Sequence, residues 1–252
     1  MSFYINGYLG EQINEVIAEN YKKYNQFFQL CEDMNRYFIE ITRKIKLEQD
    51  DIRGVLICCL LTKILNACQG IVIMSKYGLD IEAQTITRTA LESLFYLSAI
   101  ACNEEFFKEF IKSDIIEKEK IKKKIKKNPQ FFSEQNLFEL DENSEHEKIK
   151  DYNTAQVAEV AGMQGDYCTA YTYLCSITHP DLMNLFNRYT IKNDNLTTFN
   201  LQPSTNDIEL VLYSVCYIIL KTLLCLDNYF KISIEKDLDI YEKQILKIFK
   251  AE

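Results

Sequence analysis

Apolar residues recur at steps of three and four along most of the chain, which is the spacing of amphipathic helices. A long first helix is predicted from Glu11 to about Lys46. Two apolar series run in step along it at intervals of seven residues, and Asn20 interrupts the second of them. The first series is Ile17, Tyr24, Cys31, Phe38 and Ile45, and the second is Ile13, Phe27, Met34 and Ile41. This seam favours packing against the rest of a bundle over a coiled-coil dimer, which usually shows more heptads.

Two further helices follow as a pair with a very short joint. Asp51 and its neighbours form a capping cluster for a helix from Ile52 to Tyr77. Gly78 is expected to end that helix in the left-handed conformation, and Asp80 to cap the next helix. The two helices should therefore lie antiparallel.

The rest of the chain is predicted to be helical apart from one loop. The predicted helices are Glu104 to Lys127, a short one from Asn153 to near Gly162, Tyr167 to His179 with Asp166 as its cap, Ile208 to Phe230 with a capping box from Ser204 to Asp207, and Glu235 to Phe249. Residues 190–203 are predicted as a loop with a short extended segment around Thr197 to Leu201.

Composition supports an all-α fold. Only seven glycines and three prolines occur in 252 residues, too few for the turns of a many-stranded β protein. With 47% hydrophobic residues the chain can bury a substantial core. No internal repeat or clear linker is present, so we expect a single helical domain over 1–252, a multi-helix bundle of long antiparallel helices with a protruding Lys-rich helix. Its core would comprise residues 11–111 and 152–250, and 112–151 would be a charged, insertion-like segment.

Two helices are apolar enough to raise the question of a membrane. The run from Val55 to Leu61 is uninterrupted, but Lys63 and other polar residues follow within two turns, and the helix from Ile208 to Phe230 carries Lys221 and Asp227. A span needs about 20 predominantly apolar residues. Both segments therefore favour core helices, and no membrane association is expected.

The cysteines and histidines argue against a metal site. Six of the nine cysteines lie in apolar helical runs and are expected to be small buried residues: Cys58, Cys59, Cys68, Cys102, Cys216 and Cys225. There is no C-x-x-C pair and there are only two histidines, His146 and His179. We therefore expect no metal and no cofactor. A reducing cytoplasm fits this cysteine usage, and the amino terminus lacks the pattern of a signal peptide.

Charge limits the partners that the chain can bind. The net charge of −8 repels nucleic acid and anionic membrane, so a nucleic-acid site would have to be a local basic patch. One candidate is the lysine-covered helix before Pro129, with Lys120, Lys123, Lys124 and Lys127. It is either a phosphate-binding arm or, as most charge runs are, solvated surface.

The most unusual helix carries Arg88 and Glu92 among apolar residues. Their spacing of four places them on one face, where they can pair. Farther along the chain, Tyr171 and His179 share a face, and Pro180 places His179 at or just past a helix carboxyl end. A charged pair in apolar surroundings is either a buried structural clamp or part of a site.

These stretches resemble a family of uncharacterised, mainly bacterial proteins, the domain of unknown function family 5677. The first is Tyr77-Gly-Leu-Asp-Ile-Glu-Ala through Arg88-Thr-Ala-Leu-Glu92, and the second runs from Tyr167 and Tyr171 to His179-Pro180. The resemblance covers roughly residues 50–230. It implies an all-helical fold in which the Arg-Glu helix pairs with the Tyr-His helix, and it brings no known activity.

The architecture is also similar to the HEPN helical bundles, many of which are metal-independent ribonucleases of toxin and phage-defence systems. Their signature is an arginine followed four to six residues later by a histidine on one helix. This sequence departs from it, because no histidine follows Arg88 closely and Arg188 comes after His179. The ribonuclease mechanism would therefore need an Arg/His pair assembled from two helices.

Three functional hypotheses follow. The first is a ribonuclease-like effector in which His179 moves the 2′-hydroxyl proton, Arg88 steadies the phosphate, Glu92 orients Arg88 and Tyr171 donates a hydrogen bond. The second, which the acidic charge and the missing catalytic signature favour, is a non-enzymatic module of a stress or phage-defence system that senses or binds a protein partner, with a homodimer as one possibility. The third is a cysteine hydrolase built on Cys175 and His179, which the mid-helix position of Cys175 disfavours. RNA would be a partner only under the first hypothesis.

Overall fold

The computed structural model describes residues 3–48, 50–113, 127, 152–180, 182–193 and 196–249. Its long helices are α1 (Ile13–Lys23), α2 (Asn25–Lys44), α3 (Ile52–Lys76), α4 (Asp80–Cys102), α5 (104–113), α6 (Thr154–Val160), α7 (Thr172–Thr178), α8 (Leu182–Tyr189), α9 (Ile208–Phe230) and α10 (Glu235–Phe249). Shorter turns are helical at Phe3–Asn6, Gly7–Leu9 and Gln164–Asp166, and a π-helix spans Tyr167–Tyr171. The predicted all-α bundle is confirmed.

The described strands form one antiparallel hairpin between α8 and α9. Strand β1 (Thr190–Asn193) pairs with β2 (Leu196–Phe199), and Thr190 lies opposite Phe199. The extended segment expected around Thr197 to Leu201 is therefore present, shifted slightly towards the amino end, and it has a partner strand that the sequence interpretation had placed in a loop.

The core lies where α4 and α9 cross the middle of the bundle. Helix α9 packs against α2, α3 and α4, while α10 closes the bundle against α9 and α2. Helix α4 packs along α3 on one side and against α6 and α7 on another. Phe38, Leu94 and Leu212 are fully buried at the centre. The side chains of α4 that face α7 are therefore held in place by the core.

The first helix is broken, contrary to the prediction of one helix from Glu11 to Lys46. Tyr24, with φ −107° and ψ 26°, separates α1 from α2. The break lets α1 lie against the end of α3, where the buried Asn20 donates a hydrogen bond of 3.1 Å to the Lys76 carbonyl. The seam of α2 is buried inside the chain, with Met34 and Phe38 fully covered, which confirms intramolecular packing.

The joint between α3 and α4 has the predicted geometry. Gly78 has φ +69°, its N–H bonds to the Ser75 carbonyl, and the Leu79 N–H reaches back 3.0 Å to the Met74 carbonyl. These two bonds define a Schellman motif. A Cβ on Gly78 would also lie 2.7 Å from the Cβ of Pro203, so glycine is needed for space as well as for φ.

Three local predictions about caps have different outcomes. Asp51 accepts a bond from the Gly54 N–H, and Asn153 forms a complete capping box with Gln156, both as expected. Asp166 caps no helix, because the helical turn already begins at Gln164 and the Asp166 carboxylate accepts a bond of 2.6 Å from the Tyr217 hydroxyl. The expected caps at Asp80 and Ser204 are also wrong, since both side chains enter a tertiary cluster described below.

The prediction that six cysteines are buried is confirmed for Cys68 and Cys216, which lie in the core. Cys58 and Cys225 are only partly buried, and the prediction is wrong for Cys59 and Cys102, which are exposed. Among the described residues, α3 and α9 are long and apolar enough to cross a membrane by length and composition. Core helices of soluble proteins pass the same test.

Candidate functional site

Arg88 is held where α4 meets α7. Its Nε donates a hydrogen bond of 3.1 Å to the Sγ of Cys175, and one terminal nitrogen donates a bond of 3.1 Å to the Tyr171 hydroxyl. That hydroxyl in turn donates to a carboxylate oxygen of Glu92 over 3.3 Å. The guanidinium carbon also lies 5.2 Å from the centre of the Tyr171 ring. We call these four residues the Arg88 cluster.

The π-helix positions Tyr171 for this role. It is the last residue of that wider turn, and the next residue, Thr172, returns a side-chain hydrogen bond of 2.8 Å to the Tyr167 carbonyl five residues earlier. The Tyr171 ring is only 5% exposed and meets Phe95 edge-on at 5.8 Å. The ring is therefore part of the core, while its hydroxyl reaches the charged groups of α4.

The electrostatics of the cluster keep Arg88 and Tyr171 in their protonated forms. The hydrogen bond to Cys175 raises the pKa of Arg88, with a further contribution from Tyr171, so the guanidinium remains a cation. Burial raises the pKa of Tyr171. Its phenol therefore stays protonated near neutral pH and acts as a donor to Glu92.

The expected direct pairing of Arg88 with Glu92 is wrong. Within the part of the chain that the structure describes, no ion pair joins them, and the Tyr171 hydroxyl lies between them as acceptor to one and donor to the other. The guanidinium turns towards α7 because the Cys175 sulfur and the Tyr171 hydroxyl are both available there. The resemblance's pairing of the two helices is thus present, with tyrosine as the link.

His179 does not join the cluster. It follows α7 with φ −80° and ψ 140°, as predicted from Pro180, and its N–H bonds to the Cys175 carbonyl. Its ring is exposed and makes no hydrogen bond or ion pair to any of the described residues. The proposed Arg88–His179 pair and the Cys175–His179 pair are therefore both unassembled in this structure.

The structure describes one of the four lysines of the candidate nucleic-acid site. Lys120, Lys123 and Lys124 lie outside the described residues, and Lys127 is exposed. Both interpretations of that segment stay predictions.

A second polar cluster, which sequence reasoning missed, joins α4 to α8 and to the start of α9. The Asp80 side chain is fully buried and accepts bonds from Gln84 at 3.0 Å and from Ser204 at 3.3 Å. Arg188 donates to Asp80 at 3.3 Å and to Asp207 at 3.2 Å. Gln84 also donates to Asp207, at 2.9 Å. We call this group the Arg188 cluster.

Burial raises the pKa of Asp80, and the nearby Asp207 carboxylate adds to that effect. The hydrogen bond from Gln84, the charge of Arg188 and the Ser204 hydroxyl act in the opposite direction. Two carboxylates this close need a shared cation. Arg188 supplies it and thereby fixes the end of α8 to the core.

A cavity of about 400 Å³ opens beside the Arg188 cluster. It lies between the amino-terminal turns, the first turn of α4, the end of α8 and residues 200–206. Tyr8, Glu82 and Tyr189 contribute to its lining, and burial together with the charge of Glu82 raises the pKa of Tyr8 to about 12. Its lining mixes hydroxyls, amides and apolar groups.

Helix α8 carries its apolar side outwards. The inward positions are polar, because Asn184 donates a bond of 2.7 Å to the Ser176 carbonyl and Arg188 enters its cluster. Five outward positions of the helix are apolar and 43–67% exposed, and the uncharged Asn187 is exposed as well. Together with exposed neighbours they make up what we call the α8 surface: Tyr173, Leu182, Met183, Leu185, Phe186, Tyr189, Phe199 and Leu201.

The sequence carries the apolar pattern of an amphipathic helix at α8. Apolar residues at 182, 185, 186 and 189 follow the spacing of one helical face. Sequence reasoning considered Arg188 only as a member of an Arg-then-His signature, which it does not match because it follows His179. Nothing in the pattern told which side of the helix would face the core.

A metal centre has no support in the described part of the chain, where no group of three or more His, Cys, Asp or Glu residues is placed to hold a metal ion. No curated protein and no solved structure gives a significant match to the chain. One family model does match, over residues 54–196, and its description is a family of unknown function, DUF5677. The match spans more than half of the 252 residues and includes both resembling stretches. The chain therefore belongs to the DUF5677 family.

Proposed function

We propose that the chain is a non-catalytic helical module that acts by binding a protein partner. The observation that carries this proposal is the α8 surface. A helix anchored by Asn184 and Arg188 with its apolar stripe turned outwards leaves hydrophobic area in water at a free-energy cost of about 25 cal/mol per Å². A partner that covers the stripe would recover that free energy.

The Arg88 cluster supports the non-catalytic part of the same proposal. A ribonuclease of the HEPN-like kind needs a proton-transfer group beside the arginine that steadies the phosphate. Here the arginine bonds to Cys175 and Tyr171, and no hydrogen bond to His179 is present among the described residues. Those contacts fit a clamp that holds α7 against α4, and the ribonuclease alternative has no comparable support.

The cellular context belongs to the proposal as well. A stress or phage-defence system is what the HEPN-like resemblance implies, and the cysteine usage fits a reducing cytoplasm. The protein would serve there as a sensing or assembly component, while another component supplies the chemistry.

An RNA-cleavage assay in EDTA tests the non-catalytic part of the proposal. Purified wild type and His179→Ala are each incubated with total cellular RNA, and their melting temperatures are recorded alongside. We expect no cleavage by either protein and equal melting temperatures, because the His179 ring is exposed and unbonded among the described residues. EDTA-resistant cleavage by wild type that His179→Ala abolishes at unchanged melting temperature would contradict the proposal. Cleavage that persists in the variant but is absent from a mock purification would also contradict the proposal, because a residue other than His179 would then act.

A further inference from the structure

We infer that the partner of the α8 surface is a second copy of the same chain, docked about a two-fold axis that passes close to Phe186. This inference rests on the proposed partner-binding function and names its partner. Its basis is the area, the charge and the spacing of the exposed side chains.

The area of the α8 surface matches what one subunit of a stable dimer contributes. Its four aromatic residues are 43–77% exposed and offer about 400 Å². Its three leucines and one methionine, 43–67% exposed, add about 200 Å². A standard interface takes about 800 Å² per partner, of which about two-thirds is apolar in homodimers, or roughly 500 Å². The surface is therefore large enough, and it lies at the upper end of the apolar patches of monomers, about 300–600 Å².

The parts of the surface are joined to one another. The Asn200 N–H bonds to the Tyr189 carbonyl over 2.8 Å. This bond joins the residue after β2 to the end of α8. Tyr173 lies within electrostatic range of Arg188, a residue of α8. The exposed groups thus lie on α8 or beside it.

The charge of the surface fits a second copy better than a membrane. The outward positions of α8 carry no charge, so two identical surfaces can meet without repulsion between facing side chains. Helices that lie on membranes use Lys and Arg on their polar face to bind anionic lipid. The basic residue of α8 is Arg188, which is engaged with Asp80 and Asp207, and the chain as a whole carries −8.

The spacing of the stripe is self-complementary. Eight residues of helix are about 12 Å long, so two copies of α8 packed antiparallel across a two-fold axis overlap over their whole length. Leu182 of each copy would then face Tyr189 of the other, and Leu185 and Phe186 would meet their own equivalents near the axis. An isologous contact of this kind closes at two copies.

Sedimentation velocity combined with paired charge variants tests the inference. Wild type should sediment at twice the chain mass of 29.6 kDa at micromolar concentration. Phe186→Glu and Phe186→Lys should each be monomeric, with dissociation constants raised at least about 30-fold, the change expected for a hot-spot residue. An equimolar mixture of the two variants should recover the dimer, because a residue near the axis faces its own equivalent.

The matched control is Ile240→Glu, which places the same charge at an exposed apolar position of α10. It should remain dimeric. All variants should keep the wild-type circular dichroism and melting temperature, since both positions point outwards.

A monomeric wild type, or Phe186 variants that remain dimeric, would overturn the inference. Flotation of wild type with vesicles of neutral and anionic lipid, lost in Phe186→Glu, would also overturn it in favour of a membrane. A monomeric wild type leaves a different protein as the partner, so the proposed function can stand when the second copy fails, whereas flotation would contradict both. The RNA-cleavage test is independent of all these outcomes.

Discussion

The Tyr171 hydroxyl accepts a hydrogen bond from Arg88 and donates one to Glu92, so a single oxygen joins two opposite charges on neighbouring turns of α4. Since the ring beneath it is packed against Phe95, the hydroxyl cannot move away from them. Removal of this hydroxyl would leave Arg88 with only its bond to Cys175 and would take from Glu92 the bond that Tyr171 donates.

Replacing Tyr171 with Phe should therefore lower stability while it keeps the packing of the ring. Loss of the shared hydroxyl should cost about 1–2 kcal/mol, or a fall in melting temperature of roughly 2–8 °C. Thermal denaturation followed by circular dichroism measures this.

Tyr213→Phe is the matched control, because the Tyr213 ring packs against Phe249 while its hydroxyl has no hydrogen bond to a described residue. Its melting temperature should stay within about 1 °C of wild type. Equal effects of the two variants would contradict the clamp at Tyr171.

At the scale of the elements, the joint between α3 and α4 sets the position of everything that α4 carries. Gly78 ends α3, and the loop before α9 passes so close to it that the Ser204 N–H bonds to the Gly78 carbonyl over 2.9 Å. Asp80 and Ser204 then enter the Arg188 cluster. Hydrogen bonds thus link the turn at Gly78, the Arg188 cluster and the end of α8.

Alanine substitutions at three glycines separate the two constraints on this turn. Gly162→Ala should cost about 1 kcal/mol, because φ is +68° but no atom lies near the new Cβ. Gly78→Ala should cost about 3 kcal/mol, since the same strain is joined by a contact of 2.7 Å with Pro203.

Gly165→Ala serves as the control, because Gly165 is helical, has no positive φ and has open space around it. It should be neutral or stabilising by up to about 1 kcal/mol. Urea denaturation gives all three free energies of unfolding, and equal costs at Gly78 and Gly162 would show that the Pro203 contact is relieved without cost.

On the scale of the whole molecule, net charge opposes the association that the α8 surface favours. Each copy carries −8, while the facing side chains of the proposed interface are uncharged. Repulsion between the copies is therefore long-range and open to screening by salt.

The dimer dissociation constant of wild type should consequently fall when ionic strength rises from about 0.05 M to about 0.5 M, as the screening length shrinks to a few ångströms. Sedimentation equilibrium at a series of sodium chloride concentrations measures it. An interface held by ion pairs would show the opposite trend, and such a result would exclude the uncharged α8 stripe as its centre.

Much of the fold could be predicted because it depends on local pattern. The limits of α3, α9 and α10 follow from apolar periodicity within one or two residues. The bonds made by Asp51, Gly78 and Asn153 follow from backbone geometry near each residue. The break at Tyr24 accompanies a contact that the local pattern does not encode, the hydrogen bond from Asn20 to the Lys76 carbonyl 56 residues away in sequence.

The sequence predicted which residues belong to the candidate site better than it predicted the contacts between them. Spacing brought Arg88, Glu92 and Tyr171 into consideration, and the structure places them together. Spacing also suggested a direct Arg88–Glu92 pair, and it brought His179 forward. The direct pair is absent and no hydrogen bond joins His179 to Arg88 among the described residues, because a helix periodicity tells which residues share a face but not what that face meets.

The sequence by itself determined the helical class, most helix limits, the capping bonds of Asp51 and Asn153 and membership of the family, because each depends on residues close together in the chain. Only the tertiary structure decided the partners of Arg88, the pairing of Asp80 with Arg188 across 108 residues, and the outward turn of the α8 stripe. The physical reason is that an amphipathic helix can bury either face. For α8, pairing Arg188 with the buried carboxylate of Asp80 outweighs the burial of five apolar side chains.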